Sequence, residues 1–395
     1  RDLGKDFLLC GPEHFGRGWA FALPLLLAGR QREALGHLRR SDGALAAAHL
    51  GTILGLAPEA SRADGLAPRE CAEAAEEYAA ALGKEDPAAA LEYVLAAWTV
   101  RHGGDRMRWT EEEVQKDVAK LMTETRAHGT LVGNGDGALY RYFSEGVVKA
   151  LLVRVAEGIL QSNNGTTNLM AMGDAAELYA KAGEYVRLMK LFLQQLGSRM
   201  VPNGANSRDV DERRFWRDTA TNFHAHYMTE SSPCYRDVIT SLENERDGMN
   251  LSRTFNVIMN LMVFFDHWSE ARWEEAWSIM EGLDIFPRAR GDVPRKAAEV
   301  RSLDDVVSRE LHHVVLAAAE CLYEQHRALR QASRTAPGDD ASAAQRLEEL
   351  RERAGLVHMF AGTVQLGAKQ GGGRWSVPAW DDANARIAKM AAYMV

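Results

Sequence analysis

The chain has 395 residues, of which 46% are hydrophobic, with four cysteines and a formal net charge of −8 at pH 7. That is enough chain and enough apolar surface for two or three ordinary domains or one elongated superhelix. The acidic balance (pI near 5.9) excludes a general attraction to nucleic acid or to anionic membrane, which would want clustered Lys and Arg, although local basic faces remain open.

In chain order, the first apolar run is Trp19 to Ala28, broken by Pro24, and a later one is Val257 to Phe265, broken by Asn260. Both fall short of the ~20 residues that a membrane-spanning helix needs. After Gly29 the residues Ala34, Leu35 and Leu38 share one helical face, so Leu23 to Leu38 reads as a helical hairpin. Asp86 before Pro87 places a capping acid ahead of a proline suited to the first helical turn. Thr110-Glu-Glu-Glu113 has the form of a capping box.

Asp174 to Pro202 is the most telling stretch. Tyr185, Leu188, Met189, Phe192, Leu193 and Leu196 recur at helical spacing and make one continuous apolar stripe. Gly183 can take the left-handed conformation that ends the preceding helix, and the pair reads as two antiparallel helices joined at Ala182-Gly183. A third hairpin is read at Phe264-Phe265, Ser269 and the helix carrying Trp273, Ala276, Trp277 and Met280. The turns near 29, 183 and 270 share no period of about 34 residues, which excludes a regular tetratricopeptide array. Breaks rich in Gly, Pro, Asn or Ser fall at 55–68, 102–105, 130–137, 161–168, 202–211, 287–294, 336–342 and 367–378. No stretch alternates as a strand would. The expected fold is all-α, an irregular, elongated α-helical solenoid over 1–395, with 287–294 the place where a change of stacking direction would fall.

Motifs that carry chemistry were sought along the same path. Gly133-Asn-Gly135-Asp-Gly137 is spaced G-x-G-x-G with no strand before it, so it reads as a loop and not as a phosphate cradle; Gly371-Gly-Gly373 reads the same way. Asp304-Asp305 would suit the D-D-x-x-D magnesium site of helical isoprenoid synthases, but Ser308 stands where the third carboxylate belongs. An acidic first turn favoured by the helix dipole is the simpler reading. His224 and His226 lie two apart on a helix, His312 and His313 one apart, and neither pair has a carboxylate at ligand spacing. Cys10, Cys71, Cys234 and Cys321 form no CxxC, so a reduced compartment is expected. Two sequons, at Asn164 and Asn250, read as chance matches without a secretory signal. Arg288, Arg290, Arg295, Lys296 and Arg301 form a basic stretch against Asp292 and Glu299 that reads as a solvated face. No catalytic, cofactor-binding or metal-binding residue is assigned, no cofactor is expected, and the partner-binding residues stay unknown. The start at Arg1 instead of Met is read as a fragment or processed form.

The order of segments carries a resemblance. Cys10-Gly-Pro-Glu-His-Phe15 and the Ala28-Gly29 turn, Asp86-Pro87 before Ala90-Leu-Glu-Tyr93, and Leu178-Tyr-Ala-Lys-Ala-Gly183 come first. Phe264-Phe-Asp266, Trp273 to Pro287, Ser308 to Leu316, Met359-Phe-Ala-Gly362, Asp382-Ala-Asn-Ala-Arg386 and Met390 follow. Together they resemble the nucleoporin-interacting-component family, the linker scaffold nucleoporins of the nuclear pore inner ring. The resemblance implies an α-solenoid that folds back on itself, related in plan to vesicle-coat scaffolds, and no enzymatic activity. It also implies a place in the nuclear pore complex at the nuclear envelope, with other inner-ring nucleoporins as partners, among them the small membrane-associated one. In that family an N-terminal coiled coil recruits channel nucleoporins and a linker binds the large inner-ring solenoids; neither is found in this sequence. The Gly133 region, the Ala336 to Ser342 linker and the Gly371 to Trp380 insertion depart from the family pattern. The rival readings are a cytosolic vesicle-coat-like adaptor and a helical magnesium-dependent synthase.

Overall fold

The computed structural model describes residues 11, 13 and 15–394 apart from 42, 58–65, 104–111, 134, 163–167, 203–206, 302, 336–339 and 371–376. Among the described residues all regular structure is helical, as expected. The chain divides into two compact units, Arg1–Ala182 and Gly183–Val395.

The first unit contains α1 (Trp19–Leu27), α2 (Gln31–Arg40), α3 (Ala44–Leu56), α4 (Pro68–Leu82), α5 (Pro87–Arg101), α6 (Glu112–Thr125), the single turn α7 (His128–Leu131), α8 (Glu145–Ser162) and α9 (Leu169–Ala182). Successive helices lean on one another: α1 on α2, α2 on α3, α3 on α4 and α5, α5 on α6, and then α6 on α8 and α8 on α9. This is stacking by neighbours, which buries stripes that no hairpin could bury alone. Gly29 takes φ 72° at the α1–α2 turn, and Ala34, Leu35 and Leu38 are buried as their spacing predicts. The Asp86 carboxylate accepts from Ala89 N at 3.0 Å, with Pro87 at the first position of α5. Thr110 and its capping box lie outside the described residues.

Small residues set the spacing here. Gly51 and Gly55 lie one turn apart on α3; a Cβ on Gly51 would stand 2.5 Å from Cys71 O, and one on Gly55 would stand 2.2 Å from Val100 Cγ1. Ala72, Ala74, Ala75 and Ala79 of α4 meet Ala90 and Ala97 of α5 in the same buried layer. Gly137 N donates to Val132 O, and the 3-10 turn that follows buries Ala138 and Leu139.

The second unit contains α10 (Tyr185–Gly197), α11 (Ser207–Tyr227), α12 (Tyr235–Glu243), α13 (Gly248–Ser269), α14 (Trp273–Leu283), α15 (Val293–Arg301), α16 (Asp305–Thr335), α17 (Asp340–Gln370) and α18 (Val377–Met394). All six residues of the α10 stripe are buried, against α11, α12, α13 and α16. Phe192 lies within 6.2 Å of Trp216, Phe223 and Phe255, ring centre to ring centre. Further along, α16, α17 and α18 pack pairwise into a three-helix layer. Asp304 caps α16, its carboxylate accepting from Val306 N at 3.0 Å, which is the structural role expected of it.

The two helices around Gly183 (φ 77°) end and begin where the sequence places them. The turn is the boundary between the units: α9 packs on α8 in the first, and α10 packs on α13 in the second. An apolar stripe says that a helix face is buried and says nothing about which helix buries it.

Candidate docking surfaces and the ion pairs that shape them

A concavity of the second unit, about 880 Å³, lies along α11 and α13 and beside the segment that leaves α10. Arg213 and Arg217 are one turn apart on α11, so they point the same way. Both guanidiniums bind the Asp266 carboxylate on α13. Arg213 also donates to Met262 O at 2.8 Å and to Arg199 O at 3.0 Å. Arg199 in turn binds Glu212 at 2.8 Å, both half to fully buried, and reaches the Gln195 side chain at 3.0 Å. The arginines are thus neutralised by acids of their own unit, and their donors close exposed carbonyls at the end of α10. These charges staple helices together. What the groove leaves open is mixed: Val210 and Val263 are 55% and 39% exposed, beside the exposed charges of Arg214, Asp218, Glu270 and Arg272.

This network was missed in the sequence. Two signals pointed to it: arginines four apart on a helix that also carries Phe215 and Trp216, and an acid directly after the buried pair Phe264-Phe265.

A second set of open faces lies in the first unit. Trp19, Leu23 and Leu27 of α1 recur every four residues on one exposed face, with Leu27 82% exposed. Leu45, Ile53 and Leu56 are likewise exposed on α3, near His49, whose Nε2 is 2.6 Å from the Tyr93 hydroxyl. Helix α1 is apolar nearly all round, a pattern usual for helices covered on every side.

The motifs weighed for chemistry stand apart. His226 Nδ1 lies 2.8 Å from Asn222 O, and His224 stacks near Phe255. The His312 and His313 rings do approach, at 4.0 Å, but His312 lies against Trp380 and its Nδ1 is 3.0 Å from Arg309 O. Burial and the neighbouring His313 hold its pKa below the ordinary histidine value. Among the described residues, no three His, Cys, Asp or Glu side chains converge as a metal site. Cys71 and Cys321 are buried thiols whose pKa values rise to about 11 and about 12 through desolvation, which makes them poor nucleophiles. No described helix is long and apolar enough to cross a membrane. Lys296 corrects the reading of the 288–301 stretch as a solvated face. It is only 4% exposed, and its Nζ is held by Asp284 Oδ2 at 2.6 Å, Asp284 O at 2.7 Å and Glu299 at 3.1 Å.

Helices stacked on their neighbours, with ion pairs between them, define an all-α protein. The chain belongs to the Nup93/Nic96 family, whose profile matches residues 1–369. It is similar to the nuclear pore complex protein Nup93 of Danio rerio, 28% identical over 116 residues, or 29% of this chain and 14% of that protein. Nup93 of Xenopus laevis is 25% identical over 150 residues, 37% of this chain and 16% of that one. The matched stretches therefore span about one seventh of these relatives. Among solved structures, the crystal structure of Chaetomium thermophilum Nic96 SOL covers 94% of this chain and 56% of its own, with a TM-score of 0.62 at 16% identity. That likeness establishes a shared fold.

Proposed function

We propose that this chain is a structural part of the nuclear pore complex at the nuclear envelope, where it holds other nucleoporins in place and so supports protein and mRNA transport. Its work is binding, with no catalytic step. The observation that carries this reading is the family match over residues 1–369, on helices whose ion pairs serve internal stacking. The match favours a nucleoporin over a vesicle-coat adaptor. Inner-ring nucleoporins are the expected partners, including the small membrane-associated one; contacts with the large solenoids and the channel nucleoporins belong to the coiled coil and linker found elsewhere in the family.

Imaging and affinity purification of the tagged chain test the proposal together. A fluorescent rim around the nucleus with co-purified inner-ring nucleoporins is expected. Golgi or endosomal puncta, or a purified chain that retains no nucleoporin, would sink it.

A further inference from the structure

A smaller pocket, about 430 Å³, opens in the second unit between α14, the turn after it, and α17. Sequence periodicity builds both walls. On α14, Trp277, Met280, Glu281 and Asp284 follow at three- and four-residue steps; on α17, Arg353, Leu356, Val357 and Phe360 do the same. Each helix packs on α16. Phe286 sits between them, stacked on Trp277 at 6.1 Å and edge-on to Phe360 at 5.3 Å. The interior is therefore aromatic and aliphatic, with Trp277, Met280, Phe286 and Val357 all less than 8% exposed. Trp277 Nε1 is buried with no hydrogen-bond partner among the described residues, an unmet donor in the pocket wall.

The charges at the mouth are unequal in how firmly they are held. Glu281 pairs with Arg353 at 2.9 Å. Asp284, the left-handed residue ending α14, gives its carboxylate to the buried Lys296 at 2.6 Å. Arg288 is then left with a 3.4 Å approach to a carboxylate already in use, and its side chain is 77% exposed. A guanidinium in that position, over an apolar pocket, has the donors to take a carboxylate with two parallel hydrogen bonds.

We propose that this pocket docks an acidic linear segment of a partner protein, taking one bulky apolar side chain inside and an adjoining carboxylate at Arg288. Charge decides the occupant: the acids of the rim already have cations, and Arg288 is the group whose pairing a new carboxylate would complete. The volume suits one aromatic or branched side chain with its flanking backbone, at the lower end of binding-site sizes. A partner anchored this way has the usual form of a linear-motif complex, a buried hydrophobic anchor beside a charged rim contact. The inference stands on this pocket alone and does not depend on the nuclear-pore reading.

Fluorescence anisotropy of the full chain with a short labelled peptide, one Phe flanked by Asp and Glu, tests it. Saturable binding is expected, weakened about tenfold or more when Phe is replaced by Ala, when the acids become Asn and Gln, or when Arg288→Glu is introduced. Arg288→Lys, which keeps the charge and loses the fork, should bind more weakly than wild type and more tightly than Arg288→Glu. Arg288 is exposed enough for Arg288→Glu to keep the wild-type thermal transition, and Arg32→Glu in the first unit controls for net charge. The proposal is overturned if the acidic Phe peptide binds no better than its Ala or amide versions, if a Lys-flanked peptide binds as well, or if Arg288→Glu leaves affinity unchanged. Self-association that disappears in Arg288→Glu would assign the pocket to a second copy and overturn it too. Because the readout is a peptide affinity, its failure leaves localisation and co-purification of the chain untouched.

Discussion

The two units bring helices together in opposite ways. In the first, α3, α4 and α5 approach through residues with little or no side chain, and the open positions Gly51 and Gly55 face a backbone carbonyl and a valine. In the second, α10, α11 and α13 approach through rings: Phe192, Trp216, Phe223 and Phe255. Charge follows the same division. Ion pairs of the first unit, such as Arg32 with Glu70 and Arg101 with Glu76, are partly exposed, whereas the second buries Arg199 with Glu212 and sinks the Lys296 cation beneath a half-exposed Asp284. The contacts among α3, α4 and α5 should therefore be sensitive to added atoms, and the ring cluster of α10, α11 and α13 to removed atoms.

The largest test is Phe255→Ala in the second unit. Phe255 is fully buried against the rings of Phe192, Phe223 and His224, so its loss should destabilise by about 3–5 kcal/mol. Urea unfolding followed by hydrogen exchange should show protection lost in α10, α11 and α13 while α3 to α5 keep theirs. Gly51→Ala is the converse. The new methyl must displace backbone on α4, at a cost of about 1–3 kcal/mol even after the ~1 kcal/mol that alanine gains in helix propensity. A Gly51→Ala chain more stable than wild type would break the comparison, because it would show that the close approach of α3 and α4 is not limiting.

Sequence periodicity reveals burial better than it reveals partnership. The glycine turns at Gly29 and Gly183 and the stripe from Tyr185 to Leu196 were legible because each depends on local geometry. The assignment of α9 and α10 to different units was not, since any apolar stripe of suitable width could cover either helix. The turn at Ser269 conceals its mechanism: the left-handed residue there is Ala271, at φ 56°, in a stretch with no glycine to announce it. Lys296 was read as solvated because its neighbours in sequence are charged. Its spacing from Val293 and Val300 puts it on the buried face of α15, and that periodic signal outweighs composition. The docking pocket was illegible because Arg353 and Leu356 reach it from a helix nearly eighty positions away from Trp277 in sequence.

Asp284→Asn asks whether the buried cation matters as much as the rings do. Asparagine tolerates the left-handed backbone at φ 50°, so the substitution isolates the charge. Lys296 keeps Asp284 O and Glu299, and solvent screens the half-exposed Asp284 carboxylate, so the expected loss is about 1 kcal/mol, below that of Phe255→Ala. The hydrogen bond from Lys296 holds the Asp284 pKa below the usual aspartate value. A folded pKa below the unfolded one gives stability that is complete above the unfolded value and is lost as pH falls through the folded one. The gap between wild type and Asp284→Asn should thus be constant from about pH 6 to 8 and close only in acid, below the ordinary aspartate range of about 3.9. A gap that widens in acid would mean the carboxyl is not the partner of Lys296.

The smallest effect sharpens the comparison most directly for the first unit. Arg32 donates to both oxygens of Glu70, at 2.9 and 3.0 Å, and Arg39 reaches Glu77 and Glu73, so α2 and α4 are joined by a row of ion pairs. The Arg32 side chain is 51% exposed. Water and salt screen such a pair, and holding two long side chains in one geometry offsets most of its attraction. Arg32→Ala should therefore change stability by no more than about 1 kcal/mol, and 1 M salt, where screening acts over ~3 Å, should erase the difference. If the loss instead exceeds that of Gly51→Ala and survives salt, the first unit is held by its charged row, and the small residues beneath it merely allow the helices to come near enough to pair.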